Sequence, residues 1–66
     1  MAIEGSYYEM YLLKYLRDME DPRQYDHDFI KGRADDAAET FEGERRAGAT
    51  VFSAQEIAMR VLMDNL

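Results

Sequence analysis

Apolar residues recur at helical spacing in three separate stretches of the chain. In the first, Tyr8, Tyr11, Leu12, Tyr15 and Met19 share one face, Tyr7 and Leu16 broaden it, and Met10 and Leu13 lie on the other side. In the second, Ile30, Ala34, Ala37 and Phe41 form a narrow stripe with Ala38 beside it, opposite Asp28, Lys31, Asp35, Glu39, Glu42 and Arg46. In the third, Ala54, Ala58, Val61, Leu62 and Leu66 make the main face, flanked by Ile57 on one edge and by Met59 and Met63 on the other. Only Glu56, Arg60 and Asp64 remain as its polar strip. Val51-Phe52 is too short for a strand and has nothing to pair with. The pattern predicts an all-α domain of three helices, about 6–19, 26–47 and 53–66, with the middle helix longest.

Local signals set these boundaries. Ser6-Tyr7-Tyr8-Glu9 reads as a capping box, in which a serine hydroxyl and a glutamate three residues on satisfy each other's backbone N–H groups. Asp21-Pro22 stops the first helix, because the residue before proline is pushed out of helical geometry. Asp26 is a good N-cap for the second helix, with Tyr25 and Ile30 placed as a hydrophobic staple. Gly48 suits its C-terminal stop, and Arg45 and Arg46 suit the negative end of its dipole. Gly32 and Gly43 weaken this helix from its polar side, Gly43 being a place where it can break, while Glu42 and Arg46 are spaced for an ion pair. Ser53-Ala54-Gln55-Glu56 reads as a second capping box, with Phe52 and Ile57 as its staple, and the third helix is expected to run to Leu66.

Size and composition narrow the options. A chain of 66 residues forms one domain, 1–66, and buries only about 60% of the surface its unfolded form exposes. Domains this small often rely on disulfides, a metal or a partner chain. With no cysteine and one histidine, neither a disulfide nor a zinc site is expected, and a partner chain or close helix packing remains. No apolar run approaches the ~18 residues of a membrane span, and the N-terminus lacks the basic-then-apolar order of a secretory signal. A cytoplasmic protein is therefore expected. The net charge of -6, with eight basic residues scattered among fourteen acidic ones, argues against phosphate-backbone binding.

Three groups carry candidate chemistry. Asp26-His27-Asp28 has acid–base and metal-binding side chains, yet three consecutive residues at a helix start point in different directions, and capping explains them. Asp35, Asp36 and Glu39 suit a solvated helix face better than a pair of catalytic carboxylates. Tyr7, Tyr8, Tyr11 and Tyr15 cluster within nine residues, which fits either an interface or a core-edge stripe with hydroxyls in water. No phosphate-binding glycine loop, dinucleotide fingerprint or nucleophile elbow is present. No catalytic residue, cofactor, metal or small-molecule ligand is expected.

The segments SYYEMYLLKYLRD, FIKGRADDAAETFEGERRAG and AQEIAMRVLMDNL together resemble a family of small all-helical bacterial proteins of unknown function from Bacteroidetes. The specific parts are Ser6-Tyr7-Tyr8-Glu9, the Arg33-Ala34-Asp35 and Ala37-Ala38 run, and Ala58-Met59. The resemblance implies a helical fold, no assigned activity and no functional residues to carry over. Family members are often longer, which would put Leu66 near the middle of the family pattern and leave the third helix short of a partner.

The first and third helices are apolar over more than half their circumference, more than a lone three-helix domain readily hides. The sequence therefore points to a non-catalytic protein-interaction module, self-association coming first. Its expected surface comprises Tyr7, Tyr8, Met10, Tyr11 and Leu13 on the first helix. On the third it comprises Ile57, Met59, Met63 and Leu66. The alternative is a nucleic-acid-associated regulator using a helix-turn-helix-like 26–66 segment. The charge balance makes that the weaker reading, since the third helix would face a groove with Glu56, Arg60 and Asp64.

Overall fold

A computed structural model describes residues 5–66, with side chains from Tyr7 onward. The fold is all-α: α1 spans Gly5–Asp18, a short 3-10 turn Pro22–Tyr25, α2 His27–Arg46 and α3 Val51–Leu62. As the pattern predicts, α2 is the longest helix, at 20 residues. Both α1 and α3 pack along it. Short connections make each antiparallel to α2, so α1 and α3 run side by side in the same direction. The result is a rod of 37 × 17 × 16 Å. No helix among the described residues is long and apolar enough to cross a membrane.

The stops are made by backbone geometry. At the end of α2, Gly48 adopts φ +102°. Its N–H donates to the Arg45 carbonyl at 3.1 Å, and the Ala49 N–H donates to the Glu44 carbonyl at 2.9 Å. This is the paired Schellman closure that a left-handed residue permits. The same closure ends α1, with a glutamate in the left-handed position. Glu20 has φ +54°, and the N–H groups of Glu20 and Asp21 donate to the carbonyls of Arg17 and Leu16 at 3.0 and 2.8 Å. Pro22 then opens the 3-10 turn, an element absent from the sequence reading. Asp21 caps it by accepting from the Arg23 backbone N–H at 2.9 Å.

Several sequence expectations need correction. Asp26 caps α2 as expected, accepting from the Phe29 N–H at 3.1 Å. Tyr25, however, is turned outward by the 3-10 turn and is 77% exposed, so it makes no staple with Ile30. The helix runs unbroken through Gly43. The i,i+4 ion pairs among the described residues are Lys14–Asp18 and Lys31–Asp35, not Glu42–Arg46. The N-cap of α3 is Thr50, whose hydroxyl accepts from the Ser53 N–H at 3.1 Å. Because the Gly48 closure needs only one residue beyond it, the helix starts three residues before the Ser53 box, and Phe52 stays exposed. The end of α3 is also earlier than expected, at Leu62, with Asn65 left-handed at φ +58°. The Ser6 side chain, and with it the first capping box, lies outside the described residues; the backbone is already helical at Gly5.

The core is one cluster. Tyr8, Leu12 and Leu16 of α1 meet Ile30, Ala34, Ala37 and Phe41 of α2 and Ala54, Ala58 and Leu62 of α3. The α2 stripe is the one its sequence predicts. Its two alanines share the core with Ala54 and Ala58 of α3, small side chains that let helices approach closely. On α1 the buried stripe is rotated relative to expectation, leaving Tyr11 and Met19 exposed. A stripe through Leu12 and Leu16 buries two side chains without polar atoms, while Tyr11 keeps its hydroxyl in water.

A candidate interaction surface on the first and third helices

Two polar clamps lie at opposite ends of the rod, one tying α1 to α3 and the other tying α2 to the end of α3. At the end where α1 and α3 begin, the fully buried Tyr8 donates its hydroxyl to Gln55 Oε1 at 2.7 Å. Gln55 Nε2 in turn donates to the Tyr7 hydroxyl at 3.3 Å. The Tyr7 and Tyr8 rings meet edge to face, with centroids 5.2 Å apart. Burial, and secondarily the neighbouring Tyr7, pushes the Tyr8 ionisation above its ordinary range. Tyr8, expected at the interface, is thus a core residue: its spacing with Leu12 and Leu16 points it at α2.

At the other end, Arg33 of α2 reaches the last turn of α3. Its Nη1 donates to the Asp64 carbonyl and lies 3.4 Å from the carbonyls of Val61 and Leu62. A guanidinium here satisfies carbonyls that a helix end leaves free, and it opposes the negative end of the dipole. Arg33 and Arg23 both lie over the Phe29 ring, at 5.2 and 5.5 Å from its centre. Arg23 is held by Asp21, whose carboxylate accepts from Arg23 Nε at 3.0 Å. That side-chain bond, with the Arg23 backbone N–H, lowers the Asp21 pKa from 3.8 to about 2. Nothing in the sequence pattern marked Arg33, because its partners are backbone carbonyls 28 and more residues away.

Between the clamps, the outer sides of α1 and α3 remain open. A shallow groove on α1 is lined by Tyr7, Met10, Tyr11 and Leu13, with Lys14, Arg17 and Asp18 at its rim. Met10 is 73% exposed, and Tyr7 and Tyr11 are nearly half exposed. A second groove on α3 is lined by Phe52, Gln55, Met59 and Met63, with Glu56 and Arg60 at its rim. Phe52 is 75% exposed. Gln55 belongs to this second groove and bonds Tyr7 of the first, so the two surfaces join across the bundle. Leu13, Met59, Met63 and Leu66 are half-buried against the core, and Ile57 is also half-buried. Of the expected surface residues, Tyr7, Met10 and Tyr11 are the freely presented ones. Phe52 and Gln55 were missed. The spacing of Phe52 and Ile57 reads as a staple, and a glutamine that bridges two tyrosines carries no local signal.

The other candidate groups stay apart from this surface. Asp26 and Asp28 serve the start of α2. Asp35, Asp36 and Glu39 are on α2, with Lys31 paired to Asp35 at 3.4 Å. No group of three or more metal-ligating side chains occurs among the described residues.

Residues 2–66 match the family model described as a domain of unknown function, DUF1896. No curated protein and no solved structure matches the chain.

Proposed function

We propose, for a chain that belongs to the DUF1896 family of domains of unknown function, that it is a non-catalytic module acting through the joined outer surface of α1 and α3. The observation that carries this reading is a pair of grooves, lined by Tyr7, Met10 and Tyr11 on α1 and by Phe52 and Met59 on α3, whose aromatic and methionine side chains are linked through the Gln55–Tyr7 hydrogen bond. Aromatic residues and methionine are enriched where proteins meet, and methionine adapts its shape to a partner at low cost. On this reading the module works in the cytoplasm, where disulfides rarely form and a partner chain is the supplement open to so small a domain. Two further features support a binding role over a chemical one. The grooves are shallow and lie on helix exteriors, and the displaced pKa values belong to a buried tyrosine and to one ion pair in a turn. The helix-turn-helix alternative gains no support from the basic side chains, which do not gather along α3.

A dye that fluoresces on apolar surfaces tests this reading, used at sub-micromolar protein to keep the chains dispersed. The folded protein is expected to bind it. Met10→Lys and Phe52→Lys should each reduce binding severalfold with an unchanged thermal midpoint, since both side chains are mostly in water. A folded wild type that leaves the dye dark contradicts the reading.

A further inference from the structure

We infer that the occupant of this surface is a second copy of the same chain, packed face to face with α1 of each copy over α3 of the other. The inference rests on the reading above and adds the identity and orientation of the partner.

Charge distribution is the first reason. Residues 19–46, the turn and α2, hold nine acidic residues against five basic. Helix α1 holds two of each, and residues 51–66 hold two acidic and one basic. The negative surplus therefore rides mainly on the far side of the molecule, while the α1–α3 side is close to neutral. Two copies meeting through that side keep their acidic backs apart, so the overall charge of -6 does not oppose the contact.

The second reason is complementarity within the face. The exposed rim of α1 carries Lys14, Arg17 and Asp18, one net positive charge, and the exposed rim of α3 with the turn after it carries Glu56, Arg60 and Asp64, one net negative charge. A two-fold axis along the helices places each α1 over the partner's α3. A two-fold axis across them would instead stack like helices and like charges. The Tyr8–Gln55 bond fixes the levels of the two parallel helices. Counting along both from that bond brings Arg17 to the height of Asp64, so in the pair Arg17 meets the partner's Asp64. Met10 comes to the height of Ile57 and packs over the partner's α3.

Area sets the strength of the pair. Helices of 14 and 12 residues are about 20 Å long, so with a width of 17 Å their shared face offers on the order of 350 Å² per copy, about 700 Å² in a pair, the size of a weak, transient contact. The pair is accordingly weak and depends on concentration.

Sedimentation velocity from micromolar to millimolar protein tests this. The expected result is a reversible monomer–dimer equilibrium. Arg17→Glu and Asp64→Arg should each weaken it by roughly tenfold, and the double variant should recover most of the loss. Met10→Lys should abolish the pair, and it keeps the test decisive if Asp64→Arg disturbs the Arg33 clamp. A wild type that stays monomeric throughout overturns the inference, as does pairing indifferent to Met10→Lys, or single charge reversals that are not rescued. A monomer that still binds the apolar dye removes only the second copy, whereas a monomer that leaves the dye dark removes the surface as well.

Discussion

Tyr8 shows how one residue can look like surface and serve as core. Its three tyrosine neighbours suggested an aromatic patch, but its ring is fully buried and its hydroxyl is satisfied by Gln55 at 2.7 Å. Tyr8→Phe leaves the ring packing intact and orphans the Gln55 oxygen. It should lower unfolding free energy by about 1 kcal/mol in urea titrations, with Tyr7 and Tyr11 to Phe nearly silent. Ionising a buried phenol also favours the unfolded chain. The Tyr8 contribution is complete below the ordinary tyrosine range near 10 and is lost as pH rises through its higher folded-state value. Asp21 runs the other way. Its folded pKa is lowered to about 2 from 3.8, so its contribution is present above 3.8 and is lost as pH falls through 2. Carboxyl NMR titration should place Asp21 at about 2 in the wild type, and Arg23→Ala should return it close to its ordinary value.

At the scale of elements, the ends were less legible than the middles. The α2 stripe of Ile30, Ala34, Ala37 and Phe41 is clear because one period and one apolar face agree along the helix. The starts of α1 and α3 each offered a serine box, and for α3 the box lost to Thr50, a rival cap three residues earlier. The end of α1 was placed correctly by Pro22, but its closure through a left-handed Glu20 was hidden, since glutamate gives no sign of that conformation. Two substitutions probe these elements. Glu20→Gly removes the strain of a side chain at positive φ and should raise stability by about 0.5–1 kcal/mol, despite a more flexible unfolded chain. Gly32→Ala, where an added Cβ meets nothing within 4 Å, should raise it by about 0.5–1 kcal/mol. Thermal unfolding reads both, and a lowered midpoint in either contradicts the local geometry described here. Arg33→Ala should loosen the last turn of α3, seen as faster amide exchange there with Tyr8 and Gln55 unaffected.

The whole molecule is a thin rod whose three helices share one modest core. Clamps at its two ends, Tyr7–Gln55–Tyr8 and Arg33 on the carbonyls of Val61, Leu62 and Asp64, tie together elements distant in sequence, and no periodicity encodes them. What the sequence did carry was the excess of apolar surface on the outer helices. The structure divides that excess into a buried part, Tyr8, Leu12 and Leu16, and a presented part, Tyr7, Met10 and Tyr11. The same division joins the presented part to Phe52 and Met59 across Gln55. That joined face is the centre of the account, and it is read most directly by NMR across a dilution series. The methyl groups of Met10, Met59 and Met63 should shift with concentration, while the amides of Asp35, Glu39 and Glu42 on α2 stay fixed. Shifts centred on the α2 amides, or none anywhere up to millimolar protein, would contradict it.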